Sequence, residues 1–268
     1  MASPFGTTYF HRVSQRNRTL LLMDRYEHVS RSNGPTSLPE RIQSIDVLRG
    51  VAVLGILVMN IQVFSMIGAA SMNPNAYGDL TGGNYLVWLL SHILVDGKFY
   101  AIFALLFGAG IALQSERLEA KGLGPAGIFY RRMLILLAMG IAHGWLLWSG
   151  DILYDYAMVG MVVFLFRKLE PKTLFVLAFF AICMGQVVNI LGLASLPRWP
   201  EELSARLTEW WSPGQESIAA ELETFRGGWG QQNELRFNQA RSSSIGLFIV
   251  RTSWRTAGLF LAGIGLYK

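Results

Sequence analysis

Six residues carry the chemistry this chain can offer: Arg49, Asn60, Lys98, His143, Asp151 and Asp155. Each lies inside or beside an apolar run, where an ionisable group is costly and usually faces a partner or a wet cavity. His143 sits in the run LAMGIAHGWLLWSGD. An imidazole near neutral pH suits general acid–base work, and Asp151, just past the run, can orient it. Eight residues turn a regular helix about 80° away from its starting face, so the pair needs the Gly150 turn to fold Asp151 back. Asp151 and Asp155 are one turn apart and can together face His143 across a hairpin. The plainer reading, a histidine satisfied by an interhelical hydrogen bond, is at least as good on the residues alone.

Arg49 and Asn60 stand 11 residues apart, almost three whole turns, on a stripe that also takes in Asp46, Val53 and Ile56. They share one face, about 16 Å apart along the axis. Arg49, near a helix end, can hold a phosphate or carboxylate in a bidentate contact. The deeper Asn60 amide can donate to a carbonyl or an oxyanion. Spacing alone favours a structural alternative: Arg49 pairs with Asp46 and snorkels, while Asn60 bonds between helices. Lys98 must snorkel, pair with Asp96 or Asp46, or line a cavity. His92 and Asp96, four residues apart, can neutralise each other.

Other chemistries find no support. His11, His28, His92 and His143 have no zinc-binding spacing, and the single cysteine, Cys183, excludes a disulfide framework or a CxxC site. No metal site is expected. The glycines of FGAG at 107–110 do not follow a strand, so they imply close helix packing and no dinucleotide loop. No tightly bound cofactor is expected.

These side chains must be positioned by helices in a bilayer. The 268 residues are 52% hydrophobic and only 15% charged, against about a quarter charged in soluble domains. A hydrocarbon core of about 30 Å takes about 20 apolar helical residues. Candidate spans are 47–67, 98–113 (preceded by a shorter apolar piece, 85–95), 133–148, 152–166 and 173–196. Asp96-Gly97-Lys98 makes the second either one kinked helix or an interfacial helix followed by a span. Ser149-Gly150-Asp151 punctuates a helical hairpin. The expected fold is an all-α polytopic transmembrane bundle of at least five spans with a partial sixth.

Lys and Arg set the orientation. They crowd the N-terminal tail, the segment with Arg117, Lys121, Arg131 and Arg132, and the link with Arg167, Lys168 and Lys172. Residues 68–84 and 149–151 have none. This alternation puts the N-terminus and the basic loops in the cytoplasm. It also accounts for the net charge of +5 without a nucleic-acid partner; the expected surroundings are lipid. Four regions follow: a basic tail over 1–44, read as disordered; the five-span bundle over 45–196; an outer-face amphipathic segment with several Trp over 197–244; and, over 245–268, the start of a truncated C-terminal transmembrane domain. A further span begins near Ala257, and the residues after it reach about 18 Å, so the chain is expected to be a fragment or a relative lacking its C-terminal part.

The runs IDVLRGVAVLGILVMNIQVF (45–64), KFYAIFALLFGAG (98–110) and RRMLILLAMGIAHGWLLWSGDILYDYAMVG (131–160) resemble the YeiB-like family of bacterial membrane proteins, which carries a C-terminal domain of unknown function (number 418). The resemblance covers about 45–268 and implies an inner-membrane protein allied to transmembrane acyltransferases. Such proteins pass an acyl group from cytoplasmic acyl-CoA to an acceptor, often a sugar, on the far side. Arg49 matches the Arg of the first-span motif. Asn60 matches the glucosaminide N-acetyltransferase branch and departs from the O-acyltransferase branch, which has His there. The catalytic His proposed in the outer loop of the glucosaminide branch has no counterpart in 68–91. His143, Asp151 and Lys98 match positions in the YeiB-like motifs themselves.

The expected function is therefore acyl transfer across the membrane. Arg49, with Arg131 or Arg132, would bind the acyl-CoA donor. His143, oriented by Asp151, would take the proton of a glycan or small-molecule acceptor; Asn60 or Lys98 would steady the oxyanion, and Asp155 would help to bind substrate. Two other classes stand beside it: a permease whose polar groups line a path, and a non-catalytic fragment whose polar groups only hold helices together.

Overall fold

The computed structural model of the chain describes residues 42–244 and 252–268. The basic tail up to residue 41, and the first residues of the C-terminal region (245–251), lie outside the described residues. Every regular element among the described residues is helical. Four helical stretches are long and apolar enough to cross a membrane: Gln43–Ser65, Gly82–Ala120, Pro125–Leu146 and Pro171–Arg198.

Local chemistry fixes the boundaries. Helix α1 runs Gln43–Ser65. The second stretch is two helices, α2 (Gly82–Leu94) and α3 (Lys98–Ala120), because Gly97 adopts φ +73° between them. Only glycine enters that left-handed region freely, so the chain breaks here and does not merely kink. Helix α3 ends in a paired cap: the Leu123 N–H donates to Leu118 O and that of Gly122 to Glu119 O, with Gly122 at φ +72°. Helices α4 (Pro125–Leu146) and α6 (Pro171–Ser195) each open on a proline, whose fixed φ suits a first turn.

Helix α5, Leu153–Val163, is the exception. With the 3-10 turn Phe164–Phe166 it reaches about 22 Å, short of the full span expected over 152–166. Most of its surface packs against protein: Tyr156, Ala157, Val163 and Phe164 are all buried, while Val162 and Leu165 remain open. Tyr156 is ringed by Tyr100, Phe103, Phe107 and Phe260 at centroid distances of 4.9–6.0 Å. Such packed aromatics contribute beyond their buried area.

Beyond α6, the short helices α7 (Glu201–Trp211), α8 (Gln215–Arg226) and α9 (Trp229–Ser244) lead to α10, Ser253–Tyr267. The last begins four residues before the Ala257 expected from hydropathy and packs against α3, α5 and α6. Its glycines allow the approach. A methyl on Gly263 would overlap the Leu105 carbonyl of α3, and one on Gly108 of α3 would overlap the Phe260 carbonyl of α10. One on Gly258 would come within 2.9 Å of the Ala178 carbonyl of α6. Small residues at crossings let backbones touch, which is how helices associate where no hydrophobic driving force exists between them. The outward faces of α1, α2 and α6 stay apolar and open: Val47, Leu54, Val87, Phe179 and Leu193 are each more than half exposed.

Contacts define two ends. At the basic end Lys168 pairs with Glu119 at 3.7 Å, Tyr267 Oη donates to Glu116, and Lys268 Nζ donates to Leu169 O. At the other, Gly68 N donates to Glu221, Asn73 Nδ2 to Trp211 O, and Trp229 Nε1 to Leu146 O. The α7–α8 turn at this second end is held by Glu209, which accepts from Gly214 N and Ser217 Oγ; those bonds keep its carboxyl below the usual glutamate range. A depressed carboxylate stabilises the turn above its unfolded pKa, and that contribution is lost as pH falls through the folded value. Protection of the Gly214 amide, measured against its intrinsic exchange rate at each pH, should therefore fall on acidification below about pH 4, and Glu209→Gln should remove this acid dependence.

Candidate functional site

Two elements bring the catalytic candidates together. Helix α4 starts at Pro125, eight residues before the span expected from 133, and ends at Leu146, so His143 falls in its last turn. The chain then turns back through Ser149-Gly150-Asp151. His143 Nδ1 lies 3.0 Å from Asp151 Oδ1, and the second carboxylate oxygen accepts from Tyr154 N at 3.1 Å. Asp151 thus caps the start of α5 while holding the imidazole. Its side chain is 6% exposed and that of His143 38%. The approach depends on Gly140, where a side chain would overlap the Leu153–Tyr154 backbone.

An ionised Asp151 accepts from both neighbours, so Nδ1 carries the hydrogen and Nε2 keeps its lone pair. That tautomer is a base. Asp155, one turn along α5, is half-buried and within electrostatic reach of Asp151. The sequence motif did not reveal the Tyr154 amide or the role of α10. The signal for the first was an aspartate just ahead of an apolar helix, the usual N-cap pattern. Around Asp155, Tyr100 Oη bonds to Thr256 Oγ1, and the Arg255 guanidinium lies 5.0 Å over the Tyr100 ring while donating to Gly97 O. Tyr156 Oη is buried with no hydrogen bond among the described residues.

The other candidates lie apart. The inward line of α1 is Ile45, Arg49, Ala52 and Ile56, and both Asp46 and Val53 of the expected stripe are exposed. Arg49 meets Asp46 at 3.7 Å and donates to Leu106 O at 3.2 Å, which matches the structural alternative for this residue. Gly110 makes room for its guanidinium; a Cβ there would stand 2.6 Å from Nη2. Gly110→Ala should move that group off the Leu106 carbonyl and cost about 1 kcal/mol, the worth of one such bond, measurable as a lower melting temperature in detergent. Lys98 pairs with neither Asp96 nor Asp46: it donates to His92 O at 3.0 Å, closing the end of α2. Asp96 is taken by His92 at 3.1 Å. Asn60 is half-buried on α1 and makes no hydrogen bond among the described residues. Four residues on, Phe64 packs edge-on against Trp148 of the α4–α5 turn at 5.0 Å, so Asn60 lies one turn below a contact with the hairpin.

Neither a protein-family profile nor a solved structure matches the chain. Curated relatives do. The uncharacterised protein YeiB of Escherichia coli is 30% identical over 236 residues, covering 85% of this chain and 56% of that protein. The uncharacterised protein YxaH of Bacillus subtilis is 38% identical over 153 residues, covering 54% of this chain and 37% of that one. An uncharacterised 39.9 kDa protein of Bacillus acidopullulyticus is 33% identical over 138 residues, 52% of this chain and 37% of its own length. The chain spans about half the length, or less, of these relatives. It is an apolar helical protein with homologues among uncharacterised YeiB-like proteins of bacteria.

Proposed function

We propose that the chain is an integral membrane acyltransferase of the bacterial inner membrane, with its basic end in the cytoplasm. It would move an acyl group from acyl-CoA to a hydroxyl or amine of a glycan or small-molecule acceptor at the opposite face. The observation that carries this reading is the Asp151–His143 pair, a carboxylate buried at 6% beside an imidazole that keeps one nitrogen for a substrate.

In this scheme Nε2 of His143 takes the acceptor proton as its oxygen or nitrogen attacks the thioester carbonyl. The C–S bond then breaks, and the proton passes to the departing thiolate. The imidazolium is steadied by Asp151, and Asp155 assists in holding the acceptor. Arg131 and Arg132, near the start of α4, would hold the phosphates of the donor, with Arg49 assisting from its place beside α3. About 27 Å of α4 separates Pro125 from His143, so the acyl-bearing arm of the donor has to enter the bundle while its nucleotide stays behind. Asn60 serves as oxyanion donor in preference to Lys98, whose ammonium is engaged by the His92 carbonyl.

The test is transfer of labelled acetyl from acetyl-CoA to membrane glycans or small acceptors in vesicles. His143→Ala should reduce transfer by about 100-fold or more, the usual worth of a general base, with insertion unchanged. Equal labelling would sink the mechanism. Solute accumulation without acyl product would point to a permease.

A further inference from the structure

Three helices begin around one group of polar side chains next to the His143–Asp151 pair. Tyr100 stands in the first turn of α3, Asp155 and Tyr156 in that of α5, and Arg255 and Thr256 in that of α10. The Tyr156 ring meets the Tyr100 ring edge-on at 6.0 Å, and Tyr100 bonds to Thr256, so the three starts touch. Thr256 Oγ1 donates to Thr252 O at 2.9 Å. It therefore accepts from Tyr100, whose own oxygen keeps a lone pair for another donor.

Partners are what these groups lack. Tyr156 is 1% exposed, yet its Oη has no hydrogen bond among the described residues. Half-buried Asp155 makes neither a hydrogen bond nor an ion pair among them. Arg255 spends one N–H on Gly97 O and meets no carboxylate among them. Both phenols lie within electrostatic reach of Asp155 and of Arg255. Buried polar groups are ordinarily paired, so an orphaned hydroxyl beside an unpaired carboxylate and an underused guanidinium calls for an occupant.

The charges say what kind. Asp155 is balanced at a distance by Arg255 and by the positive ends of three helices. An ammonium would meet Arg255 and those helix starts. A phosphate or carboxylate would meet Asp155, with Asp151 one turn behind. A hydroxyl both donates and accepts, and several on one molecule answer a carboxylate, two phenols and a guanidinium together.

We propose that these first turns form the acceptor subsite and that the acceptor is a neutral polyol, held by Asp155, Tyr156, Tyr100 and Arg255. The inference rests on the acyl-transfer reading and narrows its acceptor to an alcohol. The polyol oxygen bonds to the acyl carbon as the C–S bond breaks, and His143 Nε2 carries the hydroxyl proton to the leaving thiolate. The products are an ester and the free thiol of CoA.

The experiment measures binding without acyl donor, so it does not depend on turnover. The full chain in phosphatidylcholine nanodiscs, with tyrosine isotope-labelled at Cζ, is titrated with methyl glucoside, inositol and glycerol. Glucosamine in its ammonium form and glucose phosphate serve as charged comparisons. The Tyr156 signal, identified by its loss in Tyr156→Phe, should shift saturably with a neutral polyol. Calorimetry should show binding weakened about fivefold in Tyr156→Phe, which deletes only the unpaired hydroxyl, and about tenfold or more in Asp155→Asn. Absence of saturable binding by every neutral polyol would overturn the proposal and leave the orphaned groups to internal water. So would full affinity in both variants, or a charged comparison binding as tightly as methyl glucoside. Polyol binding without any acyl product would keep this subsite and sink the acyl-transfer reading. Acyl product on an amine with no polyol bound would do the reverse.

Discussion

Gly263→Leu is expected to be the most damaging single substitution in the bundle. The position faces the Leu105 carbonyl of α3, so any side chain meets backbone and not a flexible neighbour that can turn aside. The reciprocal contact of Gly108 with Phe260 O pins the two helices at the same crossing, and relief at one site strains the other. Overpacking a core commonly costs 1–3 kcal/mol, and a clash with main chain on both sides puts this variant at about 3 kcal/mol or more. For a chain of this size that is about 6–12 °C in melting temperature, read by thermal unfolding in detergent. Leu266→Ala is the control: it lies on the same helix with 66% of its surface exposed and should change little. A Gly263→Leu protein that melts with the wild type would mean that α10 does not sit between α3 and α6.

Asp151→Ala should produce the second large effect, on activity and on local structure together. The carboxylate holds His143 through one oxygen and caps the first turn of α5 through the other. Removing it leaves the Tyr154 amide without that partner, a loss worth about 1 kcal/mol for a helix cap. It also releases the imidazole to either tautomer. On the proposed reaction the rate should fall by about 100- to 10,000-fold, as for loss of a positioned base. Asp151→Asn separates the two effects: its side-chain oxygen can still cap α5, while the carboxylate's hold on the tautomer is gone. Nitrogen NMR of labelled histidine should show the Nδ1-H form in the wild type and a mixture in either variant. An unchanged tautomer would remove Asp151 from its positioning role.

How much of this was legible beforehand depended on how far each feature rests on local chemistry. The all-α class and the long apolar helices follow from hydropathy, because lipid permits few alternatives to a helix. The Gly97 break and the α4–α5 hairpin were marked by their turn residues. Helix starts were less readable: Pro125 opens α4 well before the apolar run begins, since amphipathic turns continue a helix without raising its hydropathy. The helix also stops at Leu146, two residues before the end of the expected span, which leaves His143 in its last turn. Spacing gave Arg49 a face but not a partner, and its actual acceptor, the Leu106 carbonyl, carries no side-chain signature at all. Lys98 illustrates the same gap. The packing of α7 and α8 over the segment after α1 depends on contacts across more than 130 residues, such as Gly68 with Glu221, which no local pattern encodes.

The glycine-lined seat of α10 has a consequence for biogenesis. During synthesis α3, α5 and α6 are threaded long before α10 leaves the ribosome, and until then their mutual groove has no occupant. In that interval Gly108 and the Leu105 carbonyl lack the partners that α10 gives them in the finished fold, and the crossing closes when α10 packs in. Proteases or chaperones that survey half-made membrane proteins would find their opportunity in that interval.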